Sequence, residues 1–330
     1  MHKRLHRSAR NKIKYLSYKM FDLTCYCFLT GNKILSKRIV LFILYLVAVF
    51  NLSAQTKSTY TYAIKGIDTL KFDVYTPENI RNTDRLPALI WMHGGGFSMG
   101  ARDLKDEIQL MEFAARHGYI GISISYRLLR KGTKSGFGCD CPKSDKLETF
   151  KQAVIDYMDA ATYVVECADQ FNIDTTKIIA GGSSAGAESI LNAVFMREFF
   201  IEEPKLYDHV NFAGVFACAG AVVDSKFISK ENAIPSVLYH GTKDQSVPFG
   251  NAPHHYCDKD DPGYLILNGS KIIVDKLDEL EISYYFHVVK GGTHENSDIP
   301  LDDLENVLDF FETTVINDNF IQTKIVKTKD

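Results

Sequence analysis

The sequence lacks any bilayer-length apolar run, any cluster of positive charge beyond its first fifty residues, and an even set of cysteines there, and each absence argues against something, a membrane anchor being the weaker reading of the first. A membrane-spanning helix wants roughly 20 apolar residues, whereas the run at 39–50 has twelve. Lys33, Lys37 and Arg38 precede that run and Asn51-Leu52-Ser53-Ala54-Gln55 follows it. This order reads as a cleaved export signal over about residues 33–54, so the chain is expected to meet a membrane only during export and to end up secreted or periplasmic. Ten of the 38 Lys and Arg residues precede residue 55, but only one of the 41 acidic ones does, so the remainder is markedly acidic. Nucleic-acid binding rests on neutralising phosphates, and an acidic chain without a basic cluster argues against it. Of the seven cysteines, Cys139, Cys141, Cys167, Cys218 and Cys257 follow residue 54, and an odd number excludes a fully paired framework within a monomer. Cys167 and Cys218 sit in apolar runs and read as small core residues. Cys139, Cys141 and Cys257 fall in loops, where one disulfide among them suits an oxidising compartment.

No repeat, low-complexity tract or Pro/Ser-rich linker interrupts residues 60–315. Residues 1–54 are therefore read as an N-terminal extension with its signal, and 55–330 as one α/β domain. Strand-like runs fall at 61–65, 70–75, 88–92, 119–126, 177–180, 212–218, 236–240 and 283–289. Helical patterns fall at 104–117, 146–170, 185–200, 264–280 and 301–315. The central strands are continuously apolar, as expected where helices cover both faces of a parallel sheet. The first two join through Lys65-Gly66-Ile67-Asp68-Thr69, a hairpin-like connection. The expectation is an open, mostly parallel, eight-stranded sheet with helices on both faces. Such sheets bind ligands beyond the carboxyl ends of their strands.

Four motifs fall at those ends. Gly182-Ser183-Ser184-Ala185-Gly186 lies between a strand and a helical pattern, the context in which G-x-S-x-G holds its serine on a sharp, exposed turn. A serine hydroxyl is a weak nucleophile until a base takes its proton. His294, after Gly291-Gly292-Thr293, is the favoured base for Ser184. Among the other histidines, His240 reads as structural, His254 and His255 as lining a substrate site, and His287 as core or sheet surface. The acid that orients the imidazole belongs just past a strand end. Asp244 of His240-Gly241-Thr242-Lys243-Asp244 lies there, with Asp224 and Asp298 as alternatives. A tetrahedral intermediate needs backbone donors, and His93-Gly94-Gly95-Gly96-Phe97 offers Gly95 and Gly96, joined by the N–H of Ala185. Together these point to a serine hydrolase.

From about residue 61 to 315 the chain resembles the α/β-hydrolase superfamily, in its carboxylesterase branch with an H-G-G-G-F oxyanion loop. The resemblance rests on His93–Phe97, Ser125-Tyr126-Arg127-Leu128, Gly182–Gly186, Asp244 in H-G-T-x-D-x-x-V-P, and His294. It implies a Ser184 nucleophile, an Asp244 acid, a His294 base, and Gly95, Gly96 and Ala185 as oxyanion donors. It also implies ester cleavage through an acyl-enzyme without a metal or organic cofactor. The chain departs from hormone-sensitive-lipase-like members in Ser183 before the nucleophile, in Ala187 after the motif and in Leu129-Arg130. The helical cap of that group has no room before the first strand. The chain looks more like secreted bacterial feruloyl and acetyl-xylan esterases, which implies short-chain or polysaccharide-linked acyl esters and makes Arg127 a structural strut. Loops 130–146 and 245–263 are expected to set specificity. Cys139-x-Cys141 with the distant His254-His255 matches no common zinc spacing. Two other functions stay open: a peptidase of prolyl-oligopeptidase type, for whose propeller the sequence leaves no segment, and a non-catalytic binding protein of the same fold.

Overall fold

Short, continuously apolar strands with amphipathic helices between them leave little choice but a sheet covered on both sides. The computed structural model describes residues 56–329, so the expected export segment lies outside the described residues. Its strands are β1 (Thr56–Lys65), β2 (Asp68–Thr76), β3 (Leu86–Met92), β4 (Ile120–Ile124), β5 (Ile173–Ser183), β6 (Gly214–Cys218), β7 (Ala221–Val222), β8 (Ser236–Gly241), β9 (Asn251–Pro253), β10 (Ile266–Gly269), β11 (Tyr284–Lys290) and β12 (Gln322–Thr328). The longer helices are α1 (Lys105–Arg116), α2 (Lys143–Glu166), α3 (Ala185–Phe195), α4 (Ser270–Glu279) and α5 (Leu304–Phe311). The main sheet runs β1-β2-β4-β3-β5-β6-β8-β11-β12. The pairs β1–β2 and β2–β4 are antiparallel, and those from β4 onward are parallel.

Successive side chains of a strand face opposite ways, and β3 makes the consequence plain. Ala88, Ile90 and Met92 join one buried layer with residues of α2, α3 and α4, including Val154, Ile190 and Ile273. Leu89 and Trp91 join the other, with Leu110 and Met111 of α1 and Val307 and Phe311 of α5.

Among the described residues the main sheet has nine strands rather than the expected eight. The addition, β12, pairs parallel to β11 at the edge. Its Lys324 and Lys327 break the apolar pattern and suit an edge strand, where lysines discourage further pairing, so it did not read as a strand. The helix expected at 264–280 starts only at Ser270. Residues 266–269 are instead β10, the middle of a small antiparallel sheet with β7 and β9. Four residues ending in Asn268-Gly269 are too short to carry a periodicity.

Beneath the antiparallel edge lies a buried ion cluster. Asp156 of α2, fully buried, accepts from Lys65 Nζ (2.7 Å), Arg127 Nη2 (2.7 Å) and Arg127 backbone N–H (2.9 Å). Arg127 also donates to Gln152 Oε1 at 2.7 Å. The guanidinium thus ties the segment after β4 to α2, the strut role expected of it. Removing one partner from a buried pair leaves the others desolvated and uncompensated. Asp156→Ala is expected to lower unfolding free energy by about 3–5 kcal/mol, seen as a lower urea midpoint with unchanged slope.

Candidate active site

The turn from β5 into α3 is where the sequence forces an unusual backbone. Ser184 has φ 48° and ψ −121°, a region that costs a non-glycine residue roughly 1–3 kcal/mol. The neighbours make it affordable: a Cβ at Gly186 would overlap the carbonyl oxygens of Met92 and His93, so only glycine lets α3 approach β3 this closely. The Ser184 N–H is held by the Cys218 carbonyl at 2.8 Å. Its Oγ is thereby lifted clear of the helix.

From there a single hydrogen-bonded chain runs through three of the expected residues. Ser184 Oγ donates to His294 Nε2 at 2.8 Å, and His294 Nδ1 donates to Asp244 Oδ2 at 2.8 Å. Asp244 is fully buried, and its other oxygen accepts from the backbone N–H of Ser246 (2.8 Å) and Val247 (3.0 Å). Burial alone would raise its pKa, but hydrogen bonds from His240 and His294, with their charge, hold it well below the usual carboxylate range. For His294 the balance runs the other way: burial lowers its pKa, and the bond to Asp244 with its negative charge outweighs this and raises it. The arrangement can take a proton from the serine and stabilise the imidazolium that results.

The glycine loop expected to supply oxyanion donors also lies against this turn. Gly95 has φ +113°, a conformation only glycine adopts without strain, and a side chain there would overlap the Met99 carbonyl. A Cβ at Gly94 would stand 3.3 Å from Ser184 Cβ, which measures how near the loop passes. Among the described residues, no protein acceptor takes the N–H of Gly95, Gly96 or Ala185. Ala185 opens α3, where the first N–H groups have no partner within the helix. His93 is buried behind the loop, donates Nδ1–H to the Gly94 carbonyl (2.7 Å), and is pushed by burial down to about 4, so it is a neutral brace.

The alternatives separate cleanly. Asp224 caps a short turn through Lys226 N–H (3.0 Å) and does not meet His294. Asp298 lines the cavity, but the imidazole points to Asp244. His287 of β11 bonds Asp303, at the start of α5, at 3.1 Å. His240 is buried between Ser270 Oγ (2.7 Å) and the Val247 carbonyl (3.1 Å), 3.4 Å from Asp244 Oδ2, and so helps to seat the acid.

Ser184 and His294 open onto a cavity of about 880 Å³, lined also by Phe137, His254, His255 and Asp298. The two rim loops are joined by a Cys139–Cys257 disulfide, while Cys141, Cys167 and Cys218 are unpaired among the described residues. Two lining or supporting residues did not stand out in the sequence. Glu188 is buried in the cavity wall, and its only signal was a charge in the otherwise small and apolar stretch after Ser184. Lys146 is wholly buried, and its Nζ donates to the Gly263 carbonyl at 2.8 Å, holding loop 245–263 from beneath.

The strand order and the placing of Ser184, Asp244 and His294 at strand ends define an α/β-hydrolase fold. Thermogutta terrifontis esterase 2 phosphorylated by paraoxon superposes with a TM-score of 0.57 at 17% identity, over 80% of this chain and 95% of that one. The chain belongs to the BD-FAE family, whose model matches residues 72–281. In sequence it is 29% identical to carboxylesterase 1E of Rattus norvegicus and 30% identical to liver carboxylesterase of Sus scrofa, each over 123 residues. Those segments are 37% of this chain and 20% of each relative, so the match spans about a fifth of their length.

The disulfide closes a long loop, and cross-linking restricts the unfolded chain most when the loop is long. The double substitution Cys139→Ser with Cys257→Ser is expected to lower stability by about 2–4 kcal/mol, measured by denaturant unfolding. An unchanged midpoint would mean that the rim loops are held by packing alone.

Proposed function

We propose that this protein is a secreted serine carboxylic ester hydrolase acting through an acyl-enzyme, on short-chain or polysaccharide-linked acyl esters. The observation that carries the reading is the continuous chain Ser184–His294–Asp244 at the mouth of a cavity, with unengaged backbone donors beside it. The carboxylesterase relatives support the ester as substrate, and the signal-like segment before residue 55 supports export.

The chemistry follows from the geometry. As Ser184 Oγ bonds to the ester carbonyl carbon, its proton passes to His294 Nε2 and the imidazolium is held by Asp244. The carbonyl oxygen gains the negative charge, and the N–H groups of Gly95, Gly96 and Ala185 receive it. Collapse breaks the bond to the alcohol oxygen, which takes the proton from His294 and leaves. Water then repeats the sequence: His294 takes its proton, the hydroxyl bonds to the acyl carbon, and Ser184 leaves as the regenerated hydroxyl with the proton returned.

Hydrolysis of nitrophenyl acetate, butyrate and octanoate tests this. Ser184→Ala is expected to lower kcat by on the order of 10⁶-fold, and a variant that kept the rate would refute the assignment. Peptide nitroanilides serve as the control for the peptidase reading. His294 must be neutral to act as base, so kcat/KM should rise with pH through its pKa, with a midpoint above the ordinary histidine value of 6.5. Asp244→Asn should move that midpoint down, since the raising charge is gone, and cost on the order of 10⁴-fold in kcat.

A further inference from the structure

The relay leaves one part of the cavity unexplained. One helical turn past Ser184, Glu188 stands 2% exposed in the cavity wall, and its Oε1 has no aligned hydrogen-bond partner among the described residues. Beside it His254 is 1% exposed, its Nε2 3.3 Å from that oxygen, and its Nδ1 also lacks a partner among the described residues. Buried polar atoms are nearly always satisfied, so two orphans in adjacent side chains at a cavity wall require a reason.

Both groups are held rigidly. Glu188 is fixed by α3, its N–H bonded to the Ser184 carbonyl at 2.9 Å. His254 gives its N–H to the Leu265 carbonyl (2.8 Å) and sits three residues before the disulfide at Cys257. Its ring packs edge-on against Phe137 (5.2 Å between centroids) and His255 (4.3 Å).

We propose that Glu188 and His254 form a hydroxyl-binding subsite in the wall of the Ser184 cavity, selecting esters that carry a free hydroxyl near the scissile bond. A hydroxyl has one donor and two lone pairs, so it can give a hydrogen bond to one of these groups and accept from the other. An ionic ligand fits less well. Burial pushes the Glu188 carboxyl up to about 8 and the His254 imidazole well below its ordinary value, so near neutral pH the pair carries little charge to offer an ammonium or a carboxylate. The cavity, at about 880 Å³, has room for the extra group beside a short acyl chain.

This inference rests on the ester-hydrolase reading and deepens it. The test compares kcat/KM within two matched pairs. On the alcohol side the pair is an acetylated methyl xyloside against cyclohexyl acetate; on the acyl side it is nitrophenyl 3-hydroxybutyrate against nitrophenyl butyrate. The native protein is expected to favour the hydroxylated member of one pair by on the order of 10–100-fold, and the pair that responds tells which side of the ester enters the subsite. Glu188→Met keeps the volume and removes the polar atoms; it should bring that ratio close to one, while Glu188→Gln should retain part of it. If Glu188→Met fails to fold, His254→Phe reads the same ratio. No preference in either pair, or a preference that survives both substitutions, would overturn the subsite and make the two residues an internal pair only. Absence of turnover on all four esters would be a different result, refuting the hydrolase reading and the subsite with it.

Discussion

The backbone at Ser184 is the constraint on which the site depends. A residue held at φ 48° would relax if the chain around it allowed, and three contacts do not. The Cys218 carbonyl takes the Ser184 N–H, α3 continues from the next residue, and Gly186 presses against the carbonyls that end β3. Because β3 also leads into the Gly94–Gly96 loop, the same contact that enforces the turn sets the loop beside the hydroxyl. The placing of the Ser184 hydroxyl and of the Gly95 and Gly96 backbone is therefore one packing problem, solved by glycines.

The electrostatics are arranged in depth. Asp244 is buried yet stays ionised because two backbone N–H groups and two histidines face it. A buried carboxylate so supplied is a fixed negative charge, which needs no reorganisation when the imidazole becomes positive. Glu188 shows the opposite outcome for the same kind of side chain. Without such donors, burial pushes its carboxyl up to about 8. Two buried acids near Ser184 thus shift in opposite directions because two backbone N–H groups and two histidines face Asp244, whereas desolvation dominates at Glu188.

Much of this was legible in the sequence because it is local. The strings around His93, Ser184, Asp244 and His294 each combine a strand end with residues whose freedom or chemistry is specific, and the sheet then brings the ends together. What stayed hidden depends on approach across the fold. β12 carries lysines because it is an edge, and so hides its pairing with β11. Lys146, at the start of a long helix, reads as solvated until loop 245–263 is seen to cover it. The loop cysteines allowed more than one pairing, and only the meeting of the rim loops selects Cys139 with Cys257 over Cys141. Glu188 and His254 are far apart in sequence, so neither could announce the other.

The central claim is that Ser184 is the nucleophile that takes the acyl group. The most direct measurement is peptide mapping by mass spectrometry after reaction with an organophosphate such as paraoxon, a reagent that stops at the phosphoserine stage. The account predicts one diethylphosphoryl group per chain, carried on the peptide containing Ser184 and absent from Ser184→Ala. An adduct on a different residue, or the same stoichiometry in Ser184→Ala, would contradict it.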